Sequence, residues 1–337
     1  MRPDFIRTRE RCQGDDRSAL PCLAGSPRLV TPLGGGKDGI GVGRETVVAF
    51  IGVPYDGAAT LGWPGARYAP EEVRRQLAWM RMRVQDGRLY WVDEDREIEW
   101  SPEQLHDAGD ADVVPHDLMA TLAAARAKTA AETRAGRIPA VVGGDDSILF
   151  PAVAGFHDAT SGTVAVVHFD AHLDLMDDSP KQGRFSQSSG MRRALELPRV
   201  KPRHSIQVGT RNFNFPSSKR FIDSVGLTEV PARAVRQRGV PWTLGRIREV
   251  TGGADHLFVA VDIDVLDPAH APGVGWHEPG GLTSGDLIDM LVALAPEADG
   301  FVLNEVNPMT DHRAQTTILA ANLIFQFAVA ATARKRA

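Results

Sequence analysis

The chain has 337 residues, with 38 lysines and arginines against 43 acidic residues and a formal net charge of -5. Charged residues make up 24% and hydrophobic residues 43%, a balance that excludes a disordered tail, a collagen-like fibre and a small disulfide-stapled scaffold. Without a basic excess, a general nucleic-acid binder is also excluded, and a chain this long buries a core without metals or disulfides for stability.

Residues 1–46 read as an N-terminal arm, irregular and rich in Gly and Pro around GSPRLVTPLGGGKDGIGVG. Both cysteines, Cys12 and Cys22, lie in this arm and read as unpaired thiols. The opening MRPDFIRTRERC is charged and has no apolar run behind it, so no signal peptide is expected and the location reads as cytoplasmic. From residue 47 to 337 a single α/β domain is expected. Short β-branched runs at 47–54, 139–144, 163–170, 205–210, 256–264 and 301–307 alternate with helical stretches at 71–82, 118–135, 287–294 and from Thr316. Strands that alternate with helices imply crossover units and a mostly parallel sheet, and continuous apolar strands imply helices on both faces. Thr283 with Asp286 resembles a capping box, and Gly136 sits where a glycine would end a helix. The stretch Ile318 to Ala331 is short for a membrane span and contains Asn322 and Gln326, so it reads as a helix buried in the core or packed on another subunit.

Chemistry concentrates after the strands. In HFDAHLD, strand periodicity places His168, Asp170 and His172 on one face, with Asp174 following as the chain turns away. In DID, Asp262 and Asp264 share a face by the same argument. Acidic residues often end strands because the loop there is solvated. Two acidic clusters, each following a buried apolar strand, point instead to oxygen and nitrogen ligands for a hard or borderline divalent cation. Open parallel sheets put ligand sites at these strand ends.

Read together, IGVPYDG, PGARYAPEEVR, VVGGDDSI, HFDAHLD, VAVDIDVLDPAHAPG, HEPGGLTSGDL and NEVNP resemble the ureohydrolases, the arginase and agmatinase group, from about Val47 to the C-terminus. The resemblance implies a three-layer α/β/α sandwich with an eight-stranded, mostly parallel sheet, assembled as trimers or hexamers. It implies two divalent ions, Mn2+ or Ni2+, with Asp170 and Asp262 bridging them, His172 and Asp264 on one and Asp174 on the other. Glu278 matches a carboxylate directed at the substrate guanidinium; Trp276 and His277, which precede it where small residues and proline are usual, are candidate substrate contacts. The implied reaction cleaves a C–N bond of a small guanidino, substituted guanidine or biguanide compound. Metal coordination lowers the pKa of water to about 7, which such a weak electrophile requires.

Two positions depart from the family pattern. Asp146 stands in GGDD where a metal-binding histidine is usual, and Gln187 stands where a histidine serves as proton donor. Aspartate remains a competent ligand for a hard cation, whereas glutamine shuttles no proton. His277 is a candidate replacement for the lost acid–base group. The joint departure opens an alternative: a metal-poor subunit that supports an active paralogue in a mixed oligomer. Neither nucleic acid nor membrane is an expected partner. The remaining histidines, among them His106, His116, His157 and His204, read as surface residues, and Arg192 with Arg193 as solvated or ion-paired.

Overall fold

The structure is a computed structural model that describes residues 46–59 and 61–333. The arm reading of residues 1–46, with Cys12 and Cys22, lies almost wholly outside the described residues. Eight parallel strands form one sheet. In chain order they are β1 (Val48–Gly52), β4 (Leu105–Asp110), β5 (Ile138–Val142), β6 (Val164–Phe169), β7 (Ile206–Val208), β8 (Thr228–Val230), β9 (His256–Asp262) and β10 (Gly300–Asn304). Across the sheet the order is β4-β1-β5-β10-β9-β6-β7-β8. A separate antiparallel hairpin, β2 (Arg88–Trp91) and β3 (Arg96–Glu99), precedes β4.

Both faces of the sheet are covered. Helices α1 (Ala69–Arg81), α6 (Ala232–Thr251), α7 (Ser284–Leu294) and α8 (Gln315–Thr332) pack on the face that carries Val48, Phe50, Val142, Val167, Val259 and Phe301. Helices α2 (Leu118–Arg134), α3 (Leu149–Ala159), α4 (Gly190–Leu195) and α5 (Pro216–Val225) cover Ile51, Val141, Val166, Phe258 and Val302. The two sets interleave along each strand because successive side chains point to opposite faces. A strand buried on both sides therefore reads as an unbroken apolar run, as in VAFIG of β1. The α/β/α sandwich expected from the sequence is the observed one.

Local signals behave as their chemistry dictates. The Thr283 hydroxyl accepts from the Asp286 N–H and the Asp286 carboxylate accepts from the Thr283 N–H, which starts α7. Gly136, at φ 78°, follows the end of α2 in a left-handed turn. Helix α8 is 18 residues long and apolar enough to cross a membrane by length and composition, longer than the sequence reading allowed. Most of it is buried against the sheet and its neighbouring helices instead, with Phe327 stacked on Phe301 at a ring separation of 4.7 Å. His157 is a correction: it is buried on α3, beside Asp158, not on the surface. Arg192 and Arg193 are ion-paired to Asp177 and Glu196, as expected.

Phe301 lies in the middle of the sheet with no exposed surface. Phe301→Ala should destabilise the fold by about 3–5 kcal/mol, through lost burial and the cavity left beside Phe327. Urea unfolding monitored by circular dichroism measures it; a cost under about 1 kcal/mol would show that this layer repacks freely.

Candidate metal centre

Four adjacent strands, β5, β10, β9 and β6, end side by side at the C-terminal edge of the sheet. Each delivers acidic groups there. After β5 the chain passes Gly143 and Gly144 into a short 3-10 turn at Asp146–Ile148. Gly144 has no alternative: a Cβ there would sit 1.6 Å from the Tyr55 carbonyl oxygen. Asp145 caps the turn. Its Oδ1 accepts from the Ser147 N–H at 3.1 Å, and its Oδ2 accepts from the Ala58 N–H at 3.0 Å. Burial pushes the Asp145 carboxyl up to about 7 despite these donors. Asp146 then projects into the cluster. Its Oδ1 accepts from Asn304 Nδ2 at 3.0 Å, while its buried Oδ2 has no hydrogen-bond partner. Gly190 makes room for it, since a Cβ at that position would lie 2.5 Å from Asp146 Oδ2.

The ligands converge for a different reason from the one the sequence suggested. β6 stops at Phe169 and β9 at Asp262, so Asp170, His172, Asp174 and Asp264 stand on the turns beyond the strands, not on a shared strand face. Hydrogen bonds to the backbone aim them. Asp170 Oδ1 accepts from the His172 N–H at 2.6 Å, Asp262 Oδ1 from the Asp264 N–H at 2.8 Å, and Asp264 Oδ1 from the Ala171 N–H at 3.2 Å. Asp174 adopts φ 45°, a left-handed turn uncommon for a residue with a Cβ. His172 Nδ1 lies 3.1 Å from Asp264 Oδ2 and 3.5 Å from Asp170 Oδ1. Burial opposes its charge, but Asp264 and Asp170 outweigh that and push the imidazole up to about 12. His168, buried below them, places Nε2 3.2 Å from Asp170 Oδ2 and 3.9 Å from Asp146 Oδ1.

Sequence reasoning passed over two site residues. Glu305 follows β10 at φ 63°, and its Oε1 accepts from the Asp146 N–H at 2.9 Å. Its signal was present in NEVNP, a polar pair ending the apolar run FVL, which is the feature that flagged Asp170 and Asp262. Arg211 is the second. Its guanidinium donates to the carbonyls of Asp264 at 2.7 Å, Val265 at 3.1 Å and Glu278 at 2.6 Å, tying a ligand turn to the loop above it.

Glu278 is higher than the cluster. Its Oε1 lies 3.8 Å from His172 Nε2 and accepts from Trp276 Nε1 at 3.1 Å, and Asn212 Nδ2 donates to its Oε2. Gln187 donates through Nε2 to the Leu61 carbonyl at 3.2 Å, so its amide holds the mouth loop. His277 is exposed, with Nε2 2.8 Å from the Pro272 carbonyl oxygen.

Burial first, then mutual repulsion, raises the carboxyls of Asp146, Asp174, Asp262 and Glu305 well above the usual carboxylate range. Three buried polar atoms, Asp146 Oδ2, Asp170 Oδ2 and His168 Nε2, have no hydrogen-bond partner. Potential ligand atoms of Asp146, His168 and Asp170, and of Asp170, His172 and Asp264, lie within 4.8 Å of one another. Partnerless carboxylate oxygens in a crowded, buried set fit a divalent cation, which neutralises the repulsion and fills the open coordination.

A parallel α/β/α sheet with a crowded carboxylate and histidine cluster at its strand ends fits a metal-assisted α/β enzyme. The arginase family model matches residues 46–330, and the chain belongs to the arginase family, hydrolases of non-peptide C–N bonds in linear amidines. The chain is 32% identical to proclavaminate amidinohydrolase of Streptomyces clavuligerus over 292 residues, covering 83% of this chain and 88% of that one. It is also 32% identical to guanidinopropionase of Pseudomonas aeruginosa, covering 83% and 85%. The solved structure of the Streptomyces clavuligerus enzyme superposes with a TM-score of 0.75 at 29% identity, covering 87% and 94%.

The raised carboxyls set the pH response of the metal-free chain. A group that holds its proton more tightly when folded stabilises the fold while protonated and loses that contribution as pH rises. The loss begins near the unfolded carboxyl value of about 4 and, for Asp145, runs to about 7; His172 acts in the same direction at higher pH. His168, whose burial favours the neutral ring, runs the other way as a single group. In chelator the melting temperature should therefore fall between pH 5 and pH 8, and manganese should remove most of that fall. A pH-independent melting temperature in chelator would show that the carboxylates do not repel one another.

Proposed function

We propose that the chain hydrolyses a C–N bond of a guanidino compound, releasing urea or a close relative, at a pair of divalent ions held by Asp146, Asp170, His172, Asp174, Asp262 and Asp264. The observation that carries this reading is the convergence of these groups from the ends of three strands, β5, β9 and β6, with Asp146 Oδ2 and Asp170 Oδ2 partnerless. Asp146 thus keeps the ligand position despite replacing a histidine. A set dominated by carboxylates favours Mn2+ over softer ions, with Ni2+ as the other candidate. When bound, the ions acidify a water molecule to supply the nucleophile at neutral pH.

The chain's own residues orient the substrate. The Asp146 N–H fixes Glu305 Oε1, and Glu305 Oε2 lies on the side of Gly275. We therefore place the guanidinium on Glu305, where a planar cation pairs with a carboxylate and presents one face to the cluster. Glu278, assigned that part from the sequence, serves at the rim beside His172. The leaving nitrogen needs a proton, which Gln187, its amide bonded to Leu61, does not shuttle, while His277 stands exposed with Nε2 on the Pro272 carbonyl. Acid–base assistance contributes about 10²–10⁴-fold, so turnover by this chain alone is expected to be slow.

That deficit favours a second reading, in which the chain supports an active paralogous subunit in a trimer or hexamer. Metal content and urea release separate the two. Chain purified alone after growth with manganese should hold about two ions, and Asp262→Ala should lose both, since a bridging carboxylate serves each. Glu305→Gln should keep its metal and lose about 100-fold or more in kcat/KM, because a neutral amide no longer pairs with the cation. Wild-type chain with well under one ion, and urea release only after a paralogue is added, would establish the supporting role.

A further inference from the structure

Above the cluster, four loop segments join into a rim. The Trp63 N–H donates to the Gly275 carbonyl at 2.9 Å, and Asn307 Nδ2 donates to the Trp63 carbonyl at 2.8 Å. A Cβ on Gly275 would lie 3.6 Å from Glu305 Oε2, which puts this rim next to the Glu305 carboxylate. On the other side, Asn212 and Trp276 both donate to Glu278. The rim is apolar and unusually bare. Trp63 is 71% exposed, Trp276 57% and Phe213 100%, with Leu61 and Met309 also exposed.

The rim carries no fixed cation. Segments 61–65, 212–215, 275–278 and 305–309 contain neither lysine nor arginine. Arg211, which borders them, directs its guanidinium to backbone carbonyls, and Arg67 is paired with the buried carboxylate of Asp56. His277 faces the Pro272 carbonyl oxygen. The ionisable group that remains in these segments above the floor and beside the aromatic rings is the Glu278 carboxylate.

We propose that Leu61, Trp63, Phe213, Trp276 and Met309, with Glu278, form a vestibule for the far end of the substrate, and that this end is apolar or aromatic and carries no carboxylate. The inference rests on the reading that the guanidinium enters first and meets Glu305. Aromatic faces and edges bind flat apolar groups, whereas a substrate carboxylate would meet Glu278 with no cation in these segments to offset the repulsion. Guanidinopropionase, by its name, acts on an acid; the four rim segments of this chain hold no lysine or arginine to pair with one.

Titration calorimetry of the manganese-loaded full chain tests it, with phenylpropylguanidine and guanidinobutyrate as probes of equal spacer length and guanidinium chloride as the reference. The phenyl probe should bind about tenfold or more tightly than the acid. The Trp63→Ala/Trp276→Ala variant should reduce that preference to within about threefold. Trp276→Arg, which supplies the missing cation, should shift preference toward guanidinobutyrate. Equal or tighter binding of the acid by wild type, or an unchanged ratio in the double variant, overturns the vestibule while guanidinium still binds. A double variant that changes sedimentation but not the ratio assigns the tryptophans to a subunit contact and also overturns it. If guanidinium itself does not bind, the underlying orientation fails instead.

Discussion

Mutual repulsion among buried carboxylates is the constraint around which this protein is arranged. Asp146, Asp170, Asp174, Asp262, Asp264 and Glu305 approach one another at the ends of four neighbouring strands. Such a set is unfavourable in a low-dielectric environment unless cations offset it. The fold tolerates the arrangement because its costly groups sit on turns, where backbone N–H donors can hold them, while the strands beneath contribute an uninterrupted apolar sheet. Stability and chemistry are thereby divided between two levels of the same strands: apolar side chains below, acidic turns above.

Much of this was legible in the amino-acid sequence, and the limits have physical causes. The central strands were visible because burial on both faces makes them continuous apolar runs, as in VAFIG and HLFVAVD. The edge strands β4 and β8 were not, since LHDAGD and TEV mix polar groups into short segments that face solvent. Asp170, His172, Asp174, Asp262 and Asp264 stand out by residue type and order, and the fold gathers them at one end of the sheet. Their strand-face geometry was misjudged, because periodicity says nothing about where a strand ends. Glu305 was quoted within a motif and left without a role, since a single acid after a strand looks like an ordinary solvated turn. Its contact with the Asp146 N–H spans 159 positions of sequence, which no local pattern reveals.

The two departures from the family pattern differ in kind once their surroundings are seen. Asp146 is supported on all sides: Asn304 donates to it, Gly190 leaves space for it, and its free oxygen points into the cluster. That is a built position with a different ligand in it. Gln187 has been turned outward to the architecture of the mouth, where its backbone N–H reaches Ala58 and its side chain reaches Leu61. One departure leaves a carboxylate oxygen without a partner in the cluster; the other ties its backbone and side chain to the mouth loop.

The Asp145 side chain carries a consequence for motion. It grips Ala58 of the mouth loop with one oxygen and the turn bearing Asp146 with the other. Gln187 adds a second strut from the far side of the opening. Lifting residue 58 would pull, through Asp145, on the turn that carries Asp146. The loop at Ala58 and the turn that carries Asp146 are in this way coupled through a single carboxylate, like a gate whose latch is bolted to the floor.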